Sequence, residues 1–289
     1  MEAAEVRARI LASYPEIEIA TVEHLGAGWD SDAWLVNEAL VFRFTLQAGG
    51  HERILKEARL LPELGVALPL AVPVPRYIAI DESGAVPSFI AHDFLPGAPF
   101  STAGLSGAQV ERAAADIAGF LSALHDFPLE QAEGLIGARR PEDGRYWLLR
   151  DRWRIEMFPI FEAEERVAIE DRWDQFMKAM EIPTDLRLIH ADLNLDHILM
   201  DASWRVTAVI DWGDATVGDI ALDFAGFDPS FRRRVLGLYR GPQDPTLLQR
   251  VEFDRWIRPM HQIHYGLYGG GQRHVDEGIR DLMDSLGLP

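Results

Sequence analysis

Alternation of apolar and other residues is clearest in Leu40-Val41-Phe42-Arg43-Phe44-Thr45-Leu46. Side chains of a strand point to its two faces in turn. Leu40, Phe42, Phe44 and Leu46 therefore share one side, and Val41, Arg43 and Thr45 the other. The first side reads as core. The second, a guanidinium between two β-branched residues, reads as the wall of a cleft. Residues 19–46 read as strands, with Gly26-Ala27-Gly28-Trp29-Asp30-Ser31-Asp32 as a small-residue turn between two of them. Before them, Glu5–Tyr14 has helical spacing and is stopped by Pro15. A helical period returns at 51–64, where Ile54, Ala58, Leu61 and Leu64 fall on one face. Glu52 and Lys56 are spaced as an i,i+4 ion pair, and Glu57 stands at the edge of the apolar stripe. After the Pro-rich connection Pro69–Pro75, two further strands are predicted near 76–80 and 88–94, and Leu95-Pro96-Gly97 breaks the pattern.

From there the chain is mostly helical. Gln109–His125 carries the stripe Val110, Ala114, Ile117, Phe120, Leu121 and Leu124, and Tyr146–Ile160 and Glu162–Met180 predict amphipathic helices. Apolar runs at 187–190, 198–200 and 206–211 suit short strands, the last two joined by the hairpin loop Asp201-Ala202-Ser203-Trp204-Arg205. Helix returns from about 229 and is interrupted by Gly269-Gly270-Gly271. Strands with one helix, then helices enclosing a small hairpin, predict an α+β molecule of two lobes. The expected division is a β-rich lobe over 1–94 and a larger, mostly helical lobe over 95–289, with a ligand cleft between them.

Composition narrows the chemistry. The chain has 289 residues, enough for a core in each lobe. It has no cysteine, which excludes disulfides, thiolate metal sites and cysteine nucleophiles. The N-terminus lacks an apolar signal core and no apolar run is long enough to span a bilayer, so a cytoplasmic protein without a membrane partner is expected. A formal net charge of −18 repels nucleic acid and anionic membranes. The same field attracts a polycationic small molecule, although acidic surfaces also serve solubility alone.

The densest polar cluster is His190-Ala191-Asp192-Leu193-Asn194-Leu195-Asp196-His197, between two predicted strands. A second carboxylate, Asp211, ends the run Val206–Ile210, on the face of Thr207 and Val209, and Gly213 lets the chain turn after it. Phosphoryl transfer needs such parts. The protein must hold a triphosphate, neutralise its charge with a hard cation, and set a carboxylate beside the acceptor hydroxyl. Hard cations take oxygen ligands, with imidazole tolerated.

His190-Ala191-Asp192 with His197, followed by Ile210-Asp211-Trp212-Gly213-Asp214, resembles the catalytic and metal loops of the aminoglycoside phosphotransferase family. Gly218-Asp219-Ile220-Ala221-Leu222-Asp223-Phe224-Ala225 and Leu121-Ser122-Ala123-Leu124-His125 resemble further segments of that family. The resemblance implies a protein-kinase-like fold and a magnesium-dependent kinase that uses ATP or GTP to phosphorylate a hydroxyl of a small, cationic acceptor. It implies Asp192 as catalytic carboxylate and His197 and Asp211 as magnesium ligands; the histidine is similar to the 2''-phosphotransferases, where most members have asparagine. Arg43 matches the phosphate-binding lysine and Glu57 the helix glutamate that pairs with it. Ala91-His92-Asp93-Phe94 matches the interlobe linker whose backbone binds the purine, with Val41 above the base. Two positions depart from the family pattern: Arg43 stands for lysine, and Ala191 for the glycine of His-Gly-Asp.

His190 is expected to brace the catalytic loop, and Asp219 and Asp223 to cap or brace rather than react. Candidates for acceptor contacts are Asp196, Asp214, Glu252, Asp254, Trp256, His261 and Tyr265. Three alternatives stand beside the aminoglycoside reading. The same fold supports a macrolide kinase or a metabolic sugar or alcohol kinase. A kinase-fold binding protein without activity is the second, and a metal-dependent hydrolase built on His190, Asp192, His197 and Asp211 the third.

Overall fold

The alternating segments pair into one antiparallel sheet. Its strands are β1 (Val22–Ala27), β2 (Ser31–Val36), β3 (Leu40–Thr45), β4 (Pro75–Ala79) and β5 (Phe89–Asp93), in the order β1-β2-β3-β5-β4. The structure, a computed structural model, describes residues 1–28, 31–46, 50–137 and 145–288. Phe42, Phe44, Phe89 and Ala91 bury one face of the sheet with Val6 and Ile10 of α1 (Ala3–Ser13). Val41 stands opposite His92 and Arg43 opposite Ile90, so these four share the other face. Leu46, expected on the core face, lies past the end of β3 and is 46% exposed. Of the turn expected at 26–32, β1 runs to Ala27 and β2 begins at Ser31, while Trp29 and Asp30 lie outside the described residues.

The helix predicted at 51–64 is α2 (Gly50–Ala67). Its Leu60, Leu61 and Leu64 pack into the largest core of the molecule, with α3 (Gly107–His125) and the strands of the second lobe. Lys56 does not reach along the helix to Glu52. Its ammonium donates across the cleft to the carbonyls of Gly213 and Ala215, the latter at 2.9 Å.

The second lobe adds β6 (Ala98–Pro99), α4 (Leu129–Ile136), α5 (Arg145–Glu156), α6 (Ala163–Ala179), β7 (Arg187–Ile189), β8 (Ile198–Met200), β9 (Val206–Val209) and β10 (Thr216–Gly218). It closes with α7 (Ala221–Ala225), α8 (Pro229–Leu238), α9 (Leu247–Trp256), α10 (Arg258–Tyr265) and α11 (Gln272–Leu286). β6, β8 and β9 form one small sheet; β7 pairs with β10 in another. The helix expected at 146–160 ends at Glu156, and a 3-10 turn at Phe158–Ile160 follows, because Pro159 has no amide to continue the ladder. β10 and α4 were not legible as elements. β10 is three residues long and exists only by pairing with β7, and α4 buries Ala132 alone.

Tyr146, Trp153, Trp173, Phe253, Trp256 and Met260 build a second helical core from α5, α6, α9, α10 and α11. The connection after α2 joins the lobes by backbone: Ala71 N–H donates to Thr207 O at 3.0 Å, and Val209 N–H donates to Ala71 O at 2.9 Å.

Candidate active site

The loop from His190 to His197 leaves β7 at the floor of the cleft. Its entry is fixed from below by a buried carboxylate. Asp223 of α7 accepts from His190 N–H at 3.0 Å, from Ala191 N–H at 2.8 Å and from His125 Nε2 at 3.1 Å. The Tyr239 hydroxyl meets the other ring nitrogen of His125 at 2.7 Å. Each of these side chains is buried, so the network is held in a medium where an unmade bond is costly. Asp223 is thus a brace, as expected. Asp219 is another, capping Ala221 N–H at 3.1 Å and pairing with buried Arg250 at 2.7 Å. His190 is fully buried, lies against Trp212 and donates from Nε2 to Ile210 O at 3.0 Å. That bond ties the loop 190–197 to the turn at Asp211, and the burial of His190 keeps its ring out of the lining of the cavities described below.

The braced amides put Ala191 at φ 69°. This is the left-handed region, where a Cβ costs about 1–2 kcal/mol and glycine costs nothing. The departure from His-Gly-Asp therefore falls on a position whose backbone favours glycine. Asp211 sits at φ 65°. The sharp turn after β9 is made by Asp211 itself rather than by Gly213, so Asp211 does not continue the face of Thr207 and Val209. Aspartate is among the few residue types that tolerate this conformation.

These two turns bring the sequence-predicted residues together. Arg43 donates from Nη1 to Glu57 at 2.8 Å and from Nη2 to Asp211 at 3.1 Å. A guanidinium fork can hold both carboxylates at once, which an ammonium does less well. Glu57 is 3% exposed, and burial raises its pKa against the opposing pull of Arg43. His197 Nδ1 lies 2.7 Å from the Asp192 carbonyl oxygen. A carbonyl can only accept, so Nδ1 carries a proton and Nε2 is turned toward Asp211, 3.5 Å away. The Asp192 side chain, 47% exposed, opens into the cleft, and partial burial raises its pKa against His197 and His190.

His197 and Asp211 offer one imidazole nitrogen and one carboxylate. Among the described residues no group of three or more metal-ligating side chains forms a closed cage. Such an open set suits magnesium, which keeps several waters and takes one or two protein ligands together with substrate phosphates.

Two cavities meet here. The smaller, about 310 Å³, is lined by Gly28, Arg43, Glu57, Ile90, Asp192 and Asp211 among others. The larger, about 1140 Å³, lies between the loop 190–197 and the helices α5, α9 and α10. Asp192 and Asp214 line both. Val41 and His92 are buried on the cleft face of the sheet outside the lining of the smaller cavity. Asp93 and Phe94 are exposed at its end, and Phe94 N–H is engaged with Ala39 O at 2.7 Å.

Of the acceptor candidates, Asp214, Asp254 and His261 line the larger cavity. The others lie elsewhere: Trp256 in the helical core, Glu252 against Arg232, Tyr265 against His274, and Asp196 exposed on its turn. Sequence reasoning missed Lys56, Arg152 and Arg258 in the same lining. Lys56 left a signal, since it is one of only two lysines, with Lys178, in an arginine-rich chain. The arginines left none, because nothing local marks which of many surface cations turns into a cavity.

The model of the phosphotransferase enzyme family matches residues 21–247. Viomycin phosphotransferase of Streptomyces vinaceus is 24% identical over 229 residues, 74% of this chain and 76% of that protein. The GDP and kanamycin complex of APH(2")-IIia superposes with a TM-score of 0.89 at 27% identity, covering 96% of this chain and 97% of that one. Macrolide 2'-phosphotransferase MphH of Brachybacterium faecium superposes with a TM-score of 0.74 at 22% identity, covering 96% and 98% of the two chains, a likeness of fold. The family match spans the sheet, both loops and the braces beneath them, and this chain belongs to the phosphotransferase enzyme family.

Proposed function

We propose that this protein is a kinase that transfers the γ-phosphate of ATP or GTP to a hydroxyl of an aminoglycoside. The observation that carries the reading is the position of Asp192 at the junction of the two cavities, with Asp211 and His197 beside it. The triphosphate end of the nucleotide occupies the smaller cavity, and its base extends beyond that lining to lie under Val41 and against the backbone of His92, Asp93 and Phe94. Its phosphates face Arg43, which Glu57 holds in place. His197 and Asp211 would hold magnesium, which would supply neutralisation of the phosphate charge when bound. The acceptor hydroxyl lies against Asp192 from the side of the larger cavity. Its oxygen bonds to the γ-phosphorus as the bond to the diphosphate breaks, and its proton passes to the Asp192 carboxylate, so no phosphoenzyme forms. The raised pKa of Asp192 makes its carboxylate a better proton acceptor. The division into lobes at 94/95 follows the end of β5, and a donor drawn from the nucleoside triphosphate pool places the reaction in the cytoplasm.

A second acceptor class has an observation in its favour. Leu148, Leu149, Leu222 and Ile257 give the larger cavity an apolar wall that suits a macrolide. Diphosphate release with kanamycin, viomycin and erythromycin, each with ATP and with GTP, separates the two, and the mass of the product fixes the acceptor. Asp192→Asn is expected to lower kcat by about 10²–10⁴ while magnesium–nucleotide binding by calorimetry stays within a few fold. Turnover near wild type in that variant removes Asp192 from its role. Absence of both turnover and nucleotide binding in the wild type leaves the inactive binding protein.

A further inference from the structure

Only Lys56 and Lys178 are lysines in a chain whose lysines and arginines together number 28. Lys56 stands on α2 and is half-buried. Its ammonium donates to two carbonyls of the turn that follows Asp211, those of Gly213 and Ala215, the latter at 2.9 Å. The choice of lysine has a geometric reason. An ammonium is a compact charge with three donors on one nitrogen, so it can meet two converging oxygens; a guanidinium spreads its donors over a flat, wider fork. Hydrogen bonds from an ionised donor are about twice as strong as neutral ones.

These two bonds complete a set of fastenings around Asp211. Before it, buried His190 donates to Ile210 O at 3.0 Å. Beside it, Trp212 is fully buried and its indole N–H donates to Val209 O at 3.0 Å. Beyond it, Ala215 N–H donates to Trp212 O at 3.1 Å, and Lys56 ties this closed turn to α2. The neighbours of Lys56 on α2 act on the same place: Arg53 meets Asp214 at 3.3 Å, and Glu57 holds Arg43 at 2.8 Å. Asp211 itself has φ 65°, a conformation that persists only where the surroundings impose it. We propose that Lys56 is a positioning residue for the transfer reaction: by holding the carbonyls of Gly213 and Ala215, it keeps the Asp211 carboxylate aimed at the cation that accompanies the nucleotide. The inference rests on the reading of Asp211 as a magnesium ligand. Lys56 itself touches neither nucleotide nor metal in this role. Removing a group that orients a metal ligand from behind costs about 10–100-fold in metal affinity.

Two measurements on the full chain test this, the first without any ligand. In Lys56→Met, hydrogen exchange of the amides in 211–217 should quicken about tenfold over wild type, while exchange in α3 stays within a few fold. Calorimetric titration with ADP and with GDP is then compared in excess magnesium and in EDTA. Magnesium should tighten binding to the wild type. Lys56→Met should lose roughly tenfold in magnesium and stay within about twofold of wild type in EDTA. Lys56→Arg, which keeps the charge but not the compact donor set, should fall between. A lysine acting only through its charge would give the opposite order, because the nucleotide without magnesium is the more negative ligand. A greater loss in EDTA than in magnesium, an equal effect in both, or unchanged exchange at 211–217 overturns the proposal. Faster exchange there, when the wild type binds no nucleotide or binds it independently of magnesium, keeps the anchor and removes the reading of the site instead. The melting temperature of each variant establishes that it is folded, and Lys56→Gln replaces Lys56→Met where that variant is not.

Discussion

His92 shows how far a side chain's behaviour depends on the residues around it. It is 7% exposed on β5, donates from Nδ1 to the Asp93 carbonyl at 2.8 Å, and burial lowers its pKa from 6.5 to about 4. In the unfolded chain the same imidazole takes up its proton as pH falls through 6.5; in the fold it stays neutral until about 4. The stabilisation is therefore complete above pH 6.5 and is lost progressively as pH falls toward 4, by about 3 kcal/mol across that window. Urea unfolding of the wild type and of His92→Gln checks this. The wild type should lose more stability than the variant between those two pH values, and parallel curves would show that the ring titrates normally. Arg43 makes the complementary point. Its place on the cleft face was legible from alternation, but its bond to Asp211, 168 positions away, was not.

At the scale of elements, the loop 190–197 is shaped by the helix beneath it. α7 is short, yet it supplies Asp223 to the loop's amides and ends at Gly226. A Cβ built on Gly226 would stand 2.1 Å from the Leu193 carbonyl oxygen, a backbone atom that cannot swing aside. Gly226→Ala should push the loop off α7, lowering stability by about 1–3 kcal/mol and kcat with it. A melting temperature and turnover equal to wild type would mean that the loop can retreat without losing its geometry. α2 works in the same way between lobes. Three of its residues within one turn and a half, Arg53, Lys56 and Glu57, reach Asp214, the carbonyls of Gly213 and Ala215, and Arg43.

Across the whole molecule, the two lobes are not independent bodies in energetic terms. Leu60, Leu61 and Leu64 of α2 belong to the core formed with α3, α7 and α8, while the sheet has its own smaller core with α1. Unfolding either lobe would expose apolar surface of the other. A single cooperative calorimetric transition is expected, with the van't Hoff enthalpy matching the calorimetric one. Two resolved transitions would show that the sheet melts away from α2.

Periodicity alone was enough for β3, α2, α3 and α6, because each buries one continuous face and so writes a repeating pattern into the chain. The polar cluster 190–197 and Asp211 were legible for a different reason: they form the densest run of polar residues between short apolar strands, and their motifs resemble the two loops of the phosphotransferase family. The sequence by itself therefore determined the α+β class, the cleft face of the sheet and the residues that gather at its floor. Only the tertiary structure decided that Asp211 turns through a left-handed backbone, that Lys56 leaves its helix neighbour for the carbonyls of Gly213 and Ala215, and that Arg258 lines the larger cavity. Those outcomes depend on contacts between segments far apart in the chain, and local patterning carries no record of which partner a charge will meet.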